Sequence, residues 1–246
     1  MTLSIGKAWE EARAFIARER VLLLPVALLL IGVPLALIFQ LIPASLRSMP
    51  QNMATNPPVL PAGNLFGILL GVLITIAGSL ALYALALRPG ISVGEAIQLG
   101  LRRMPISVAA TLLMAFGLSI PLLAVELAVP ALGRTLLGLA GVFLSVRLML
   151  INAVIVERPV GPFRALVESW RLAKGHFWRL ALFLVMIAVP AILAQVVAQM
   201  LFGTVGFVIG GAELGRGLAD VAVALVMASV QLLTIVMVAR FYRQVS

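Results

Sequence analysis

Arg147 stands alone in a long apolar stretch, nine residues before its last apolar position, Val156. A guanidinium stays protonated in any protein environment. In a lipid-facing setting it must snorkel to the interface, face a wet groove, or meet an acid or helix-end carbonyls. Two chemistries suit it: a structural polar anchor, or a site for phosphate, an anionic lipid or a transported anion. Glu126 falls near the opposite end of the preceding apolar stretch, so the spacing supplies no pair between them. Asn152 follows Arg147, and Gln195 and Gln199 share a helix face at i, i+4. Such amides line a polar path or bridge helices. Glu213 and Asp220 share a face as well, but two carboxylates without companion ligands make neither a glycosidase nor a two-metal site. The chain has one His, His176, which marks a polar membrane boundary, and no Cys. That removes disulfides, thiolate ligation and cysteine nucleophiles and leaves little for a metal centre. No nucleophile has an evident general base. The sequence therefore assigns no catalytic residue, cofactor or metal.

The elements that position these residues follow from composition. Of 246 residues, 63% are hydrophobic and 11% charged, more apolar than a water-covered surface allows. Lipid must cover much of the chain, and only helices or closed barrels satisfy their backbone there. Long runs rich in Leu, Ala and Met favour helices over short alternating strands. Six spans are predicted at 21–42, 64–87, 106–130, 134–156, 179–202 and 217–239. Each crosses a hydrocarbon layer of roughly 30 Å at about 1.5 Å per residue. The first is expected to be a retained anchor, since no small-residue cleavage site follows it. The expected fold is an all-α, polytopic six-helix bundle forming a single membrane domain over 1–246.

Three amphipathic approaches run into these spans and give the chain an internal period. They begin at Ser4-Ile5-Gly6-Lys7, Ser92-Val93-Gly94-Glu95 and Gly161-Pro162-Phe163-Arg164, and reach Pro34, Pro121 and Pro190 after 30, 29 and 29 residues. The period predicts three repeated units, approximately 4–87, 92–156 and 161–239, each an interfacial helix plus a helical hairpin. In the first, Ile5, Ala8, Trp9, Ala12, Phe15 and Ile16 recur at helical spacing; in the third, Phe163, Leu166, Val167 and Trp170 do. The prolines lack a donor and crowd the carbonyl four residues earlier, so they bend spans or widen their grooves. Gly63, Gly67 and Gly71, and more weakly Gly141 with Ser145, predict close helix packing.

Charge placement gives orientation. The hairpin order puts Lys7, Arg13, Arg18, Arg20, Arg88, Arg102, Arg103, Arg158, Arg164, Arg171, Lys174, Arg179, Arg240 and Arg243 on one side, and only Arg47, Arg134 and Arg216 on the other. Both termini are therefore expected in the cytoplasm. The net charge of +9 is explained by topology, and no nucleic-acid partner is expected. The opposite connection, 43–63, carries Pro43, Pro50, Pro57, Pro58 and Pro61 with Asn52 and Asn56, which resists a regular helix. Basic groups beside interfacial aromatics suit anionic head groups.

The run Arg147-Leu-Met-Leu-Ile-Asn152, then Pro159 to Leu166, and the block Ser169-Trp170-Arg171-Leu172-Ala173-Lys174-Gly175-His176-Phe177-Trp178-Arg179-Leu180 resemble the membrane domain of the glycerophosphoryl diester phosphodiesterase family and related bacterial six-span inner-membrane proteins. In fused members the phosphodiesterase activity is associated with a separate soluble domain, and this chain resembles the membrane portion alone. The resemblance implies a scaffold or substrate-handling module in a bacterial inner membrane, with Arg147 and segment 164–179 as places for phosphate-bearing lipids. The expected function is a non-catalytic scaffold or accessory protein that associates with phospholipids or other integral membrane proteins. The alternative is a transporter or permease for a small or lipidic solute. The candidate anionic-lipid or polar-groove residues are Arg147, Asn152, Arg164, Arg171, Lys174, Gln195 and Gln199.

Overall fold

The computed structural model describes residues 3–42, 60–128 and 130–246. Helix α1 spans Ile5–Leu41, α2 Ala62–Leu87, α3 Val93–Ala128, α4 Pro130–Arg147, α5 Ile151–Glu157, α6 Pro162–Ala173 and α7 Phe177–Val245. Five helical stretches are long and apolar enough to cross a membrane. The last of them has 69 residues, about 100 Å if straight at 1.5 Å per residue. It is broken by non-helical backbone at Gly210 and Gly211, and arm 212–245 returns along arm 177–209. The result is a six-span, all-α membrane bundle.

The three approaches fold differently. Ser4 caps the first, its Oγ accepting from the Lys7 N–H at 3.3 Å. With no helix breaker before Pro25, the segment runs straight into the span as one helix. Ser92 and Glu95 form a reciprocal capping box: Ser92 N–H donates to Glu95 Oε2 at 2.9 Å and Glu95 N–H to Ser92 Oγ at 3.3 Å. From there α3 also continues without a break, through Pro105 and Pro121. Only the third approach is a separate amphipathic helix, α6, where the chain turns at Gly175 with φ +85°. Its small residues Ala165, Ser169 and Ala173 face the bundle, while Phe163, Val167 and Trp170 remain partly exposed.

Pro34 does not break α1. The helix widens just before it into a π-helical turn, Leu28–Gly32, with Val33 N–H bonded five residues back to Leu28 O. This absorbs the proline ring and the missing donor. The widened turn presses against α2, where a Cβ added at Gly78 would lie 2.8 Å from Leu30 O. Gly67 and Gly71 face Leu41 and Ile38 of the same helix, whereas Gly63 and Gly141 have no neighbour within 4 Å. Close packing thus holds for part of the glycine stripe only. Pro190 sits inside continuous helix.

Span four is not one helix, as expected for 134–156. α4 ends at Arg147, and a turn tightened by Ile151 N–H to Leu148 O at 3.0 Å leads into α5. Ser169 of α6 donates to the Arg147 carbonyl at 3.3 Å, so the elbow occupies a backbone acceptor at the site of the interruption.

The tightest packing lies at the end that carries both termini. Leu80–Leu87, Ala153–Val156 and Ile235–Ala239 are buried, and Phe183 meets Phe241 edge to face at 4.7 Å. Ser4 N–H donates to Gln244 Oε1 at 2.8 Å, and Arg179 Nη1 to Leu3 O at 2.8 Å. The opposite end presents Phe207, Val208 and Ile209 outward. Arg47 and the expected irregular loop with Pro43, Pro50, Asn52, Asn56, Pro57 and Pro58 lie outside the described residues, as do the side chains of Pro121, Glu126 and Arg134.

Candidate functional site

Arg147 is the last residue of α4, and three aromatic rings surround its guanidinium. Its Cζ lies 5.0 Å from the Trp170 ring, 5.5 Å from Phe143 and 5.6 Å from Phe177. Phe143 is one turn earlier on α4; α6 brings Trp170 and the start of α7 brings Phe177. The rings hold one another, Phe143 against Trp170 at 5.6 Å and against Phe177 at 5.3 Å. Each face attracts the cation by about 0.5–2 kcal/mol, depending on desolvation. The cage stabilises the charge but offers no hydrogen-bond acceptor. Arg147 Nε and Nη1 are buried and have no partner among the described residues. Two such N–H groups are costly unless an anion or water takes them. The elbow lies beside Arg147, with Ser169 and Trp170 both reaching it.

A lateral groove opens next to the cage. It encloses about 450 Å³ between α3, α4 and α6, lined by Leu113, Met114, Gly117, Leu144, Leu148, Leu166, Val167 and Trp170. Trp170 thus belongs to both the cation cage and the apolar groove. A charged head group and a hydrocarbon tail could be met within one neighbourhood.

The other expected residues divide. Asn152 is a helix bridge: Ser107 of α3 donates to its Oδ1 at 3.2 Å. Ser107→Ala should cost about 1 kcal/mol, because Asn152 then loses its partner at a partly buried position. Thermal unfolding in detergent would read this, and an unchanged midpoint would count against the bridge. Arg171 donates to Glu168 Oε1 at 2.8 Å, and Arg158 bonds the same oxygen, so Glu168 ties α6 to the segment preceding it. Arg164 and Lys174 are exposed on the elbow. Gln199 lies elsewhere, in a cavity of about 670 Å³ between the arms of α7 with Thr204, Arg216 and Asp220. Gln195 is half-buried, one turn from it. The structure therefore brings Trp170 and Ser169 of the elbow to Arg147, leaves Arg164 and Lys174 exposed, pairs Arg171 with Glu168, and puts Gln199 in a different place.

Sequence reasoning missed two features. Phe143 at i−4 from Arg147 was a readable half of the cage; Trp170 and Phe177 needed the elbow's path. The second is a pocket of about 320 Å³ lined by Arg18, Arg88, Arg240 and Arg243 with Phe15 and Glu19. Its four arginines come from the approach segment, the end of α2 and the end of α7, so no local spacing announces it.

Among the described residues no group of three His, Asp or Glu is placed to hold a metal ion. Fold and site together define a multi-pass, all-α membrane protein with a caged arginine beside an apolar groove. No family model matches the chain, and no curated protein or solved structure matches it either.

Proposed function

We propose that this chain is a non-catalytic scaffold or accessory protein of the bacterial inner membrane, with both termini cytoplasmic, that holds an anionic phospholipid at its cytoplasmic boundary and associates with other membrane proteins. One observation carries the reading: the Arg147 guanidinium presents buried, unpartnered N–H groups beside an apolar groove. A lipid phosphate would accept those bonds while an acyl chain fills the groove. The excess of Lys and Arg on the terminal side supports the orientation. The resemblance of the 169–180 block to a phosphodiesterase membrane domain forms part of the same proposal.

Lipid retention tests it. Native mass spectrometry of the full chain, purified in mild detergent from vesicles of phosphatidylglycerol and phosphatidylethanolamine, should show bound phosphatidylglycerol. Arg147→Gln should weaken its retention roughly tenfold, the equivalent of one charge-assisted contact. Gly117→Phe should do the same, because its side chain would enter the groove from a position with no neighbour within 4 Å. Retention equal to wild type in both variants would reject the site.

A permease is the second reading, favoured by the cavity that Gln199, Arg216 and Asp220 line between the α7 arms. Solute uptake into liposomes by the solitary chain, abolished by Gln199→Leu, would displace the scaffold reading.

A further inference from the structure

The four-arginine pocket stands apart from the Arg147 cage, and its residues converge from different parts of the chain. Leu22, Leu23, Leu85 and Ala86 form its apolar floor, and Arg18, Arg88, Arg240 and Arg243 line its walls. Two of the arginines are fixed by helix-end carbonyls. Arg88 Nη2 donates to Val156 O at 2.9 Å, at the end of α5. Arg243 Nη2 donates to Leu87 O, at the end of α2. These bonds satisfy carbonyls that helix ends leave without partners, and they use one of five donors on each guanidinium. Arg18 Nε donates to Glu19 Oε1 at 3.0 Å. Arg240 lies with its Cζ 4.8 Å from the Phe15 ring, and its buried Nε has no partner among the described residues.

The acids nearby do not balance this charge. Glu19 lines the pocket and bonds Arg18. Glu11 acts on Arg240 at longer range while also facing Lys7 at 3.9 Å. Like charges gathered in a partly enclosed space repel, and helix-end carbonyls offset only a fraction of that. Carbonyl capping explains Arg88 and Arg243; it explains neither Arg240, which caps nothing with its buried Nε, nor the convergence of all four on one cavity. A multivalent oxyanion would satisfy the remaining forked N–H groups, and guanidinium geometry matches phosphate.

We propose that Arg18, Arg88, Arg240 and Arg243 form a second, separate binding site for a phosphate group, at the end of the bundle where the termini meet. The inference does not rest on the Arg147 reading. The phosphate comes either from a lipid head group, with the apolar floor against the start of its tail, or from a free phosphate ester.

The experiment uses the full chain in a phosphatidylcholine nanodisc. Pyrophosphate is titrated in one arm; in the other, phosphatidylglycerol or cardiolipin is introduced into the disc, and bound lipid is counted by native mass spectrometry. Both arms use the Arg147→Gln variant, which removes the elbow site from the count, and it should bind in at least one of them. Pyrophosphate saturation assigns a soluble ligand, and lipid retention without it assigns a head group. In that background Arg240→Gln and Arg18→Gln should each weaken binding about tenfold, while the exposed control Arg13→Gln should not. Arg18 is largely exposed, so its variant keeps the fold if Arg240→Gln does not. Binding absent from both arms in that background, or lost equally in Arg13→Gln and Arg18→Gln, would overturn the proposal. Lipid bound by wild type and absent from the Arg147→Gln background would leave only the site at the elbow.

Discussion

Gly100→Ala should lower the thermal midpoint of the purified protein sharply, although it adds a single methyl group. A Cβ there would stand 2.5 Å from Ala77 O and 3.0 Å from Ala81 N. Both are backbone atoms of α2, so no side chain can swing away; α3 itself would have to move. Overpacking of this kind costs about 1–3 kcal/mol, and more where helices must separate. Gly78→Ala should behave alike, since its Cβ would meet Leu30 Cβ at 2.6 Å and Leu30 O at 2.8 Å on the widened turn of α1. Gly141→Ala is the counterpart: nothing lies within 4 Å of its Cβ. In a helix interior that change gains up to about 1 kcal/mol from propensity. The measurement is unfolding of each variant in one detergent. Equal midpoints for Gly100→Ala and Gly141→Ala would contradict the close packing of α2 and α3.

The contrast between these glycines shows what is legible in such a sequence. Apolar length is legible, because a lipid-facing helix must announce itself residue by residue along a whole span. Six spans follow, but the first and third helices begin well before the predicted 21 and 106, and the fourth is interrupted after Arg147. Which glycine meets a neighbour is not legible, since Gly63 and Gly67 share one stripe and only Gly67 touches α1. The amphipathic approaches illustrate the same limit. All three have interfacial patterning, yet two continue into the following span without a break and the third turns at Gly175, where a left-handed φ is required. The Arg147 cage was half visible through Phe143. The arginine pocket was invisible because charge accounting read Arg18, Arg88, Arg240 and Arg243 as markers of orientation, and only tertiary packing makes them neighbours.

The hairpin within α7 makes that packing possible, and two substitutions should open it. Gly206 faces Gly215 so closely that a Cβ on Gly206 would lie 2.7 Å from Gly215 Cα and 2.9 Å from Leu214 O. Gly206→Leu must push the arms apart. Gly211 turns the chain with φ +80° and ψ −169°, a region that only glycine occupies comfortably. Gly211→Ala should therefore cost about 1–3 kcal/mol. A chain without cysteine allows a direct readout. A Cβ at Gly203 would stand 3.6 Å from Ala219 Cβ, within the range a disulfide bridges. The double variant Gly203→Cys, Ala219→Cys should crosslink under mild oxidation, visible as a shift on a non-reducing gel after proteolysis between the arms. Adding Gly206→Leu should reduce the crosslinked fraction severalfold. Failure to crosslink in the otherwise native chain would mean the arms do not run side by side. Arg240 and Arg243 would then lose the path that returns them to Arg18 and Arg88, and the termini would no longer share one end of the bundle.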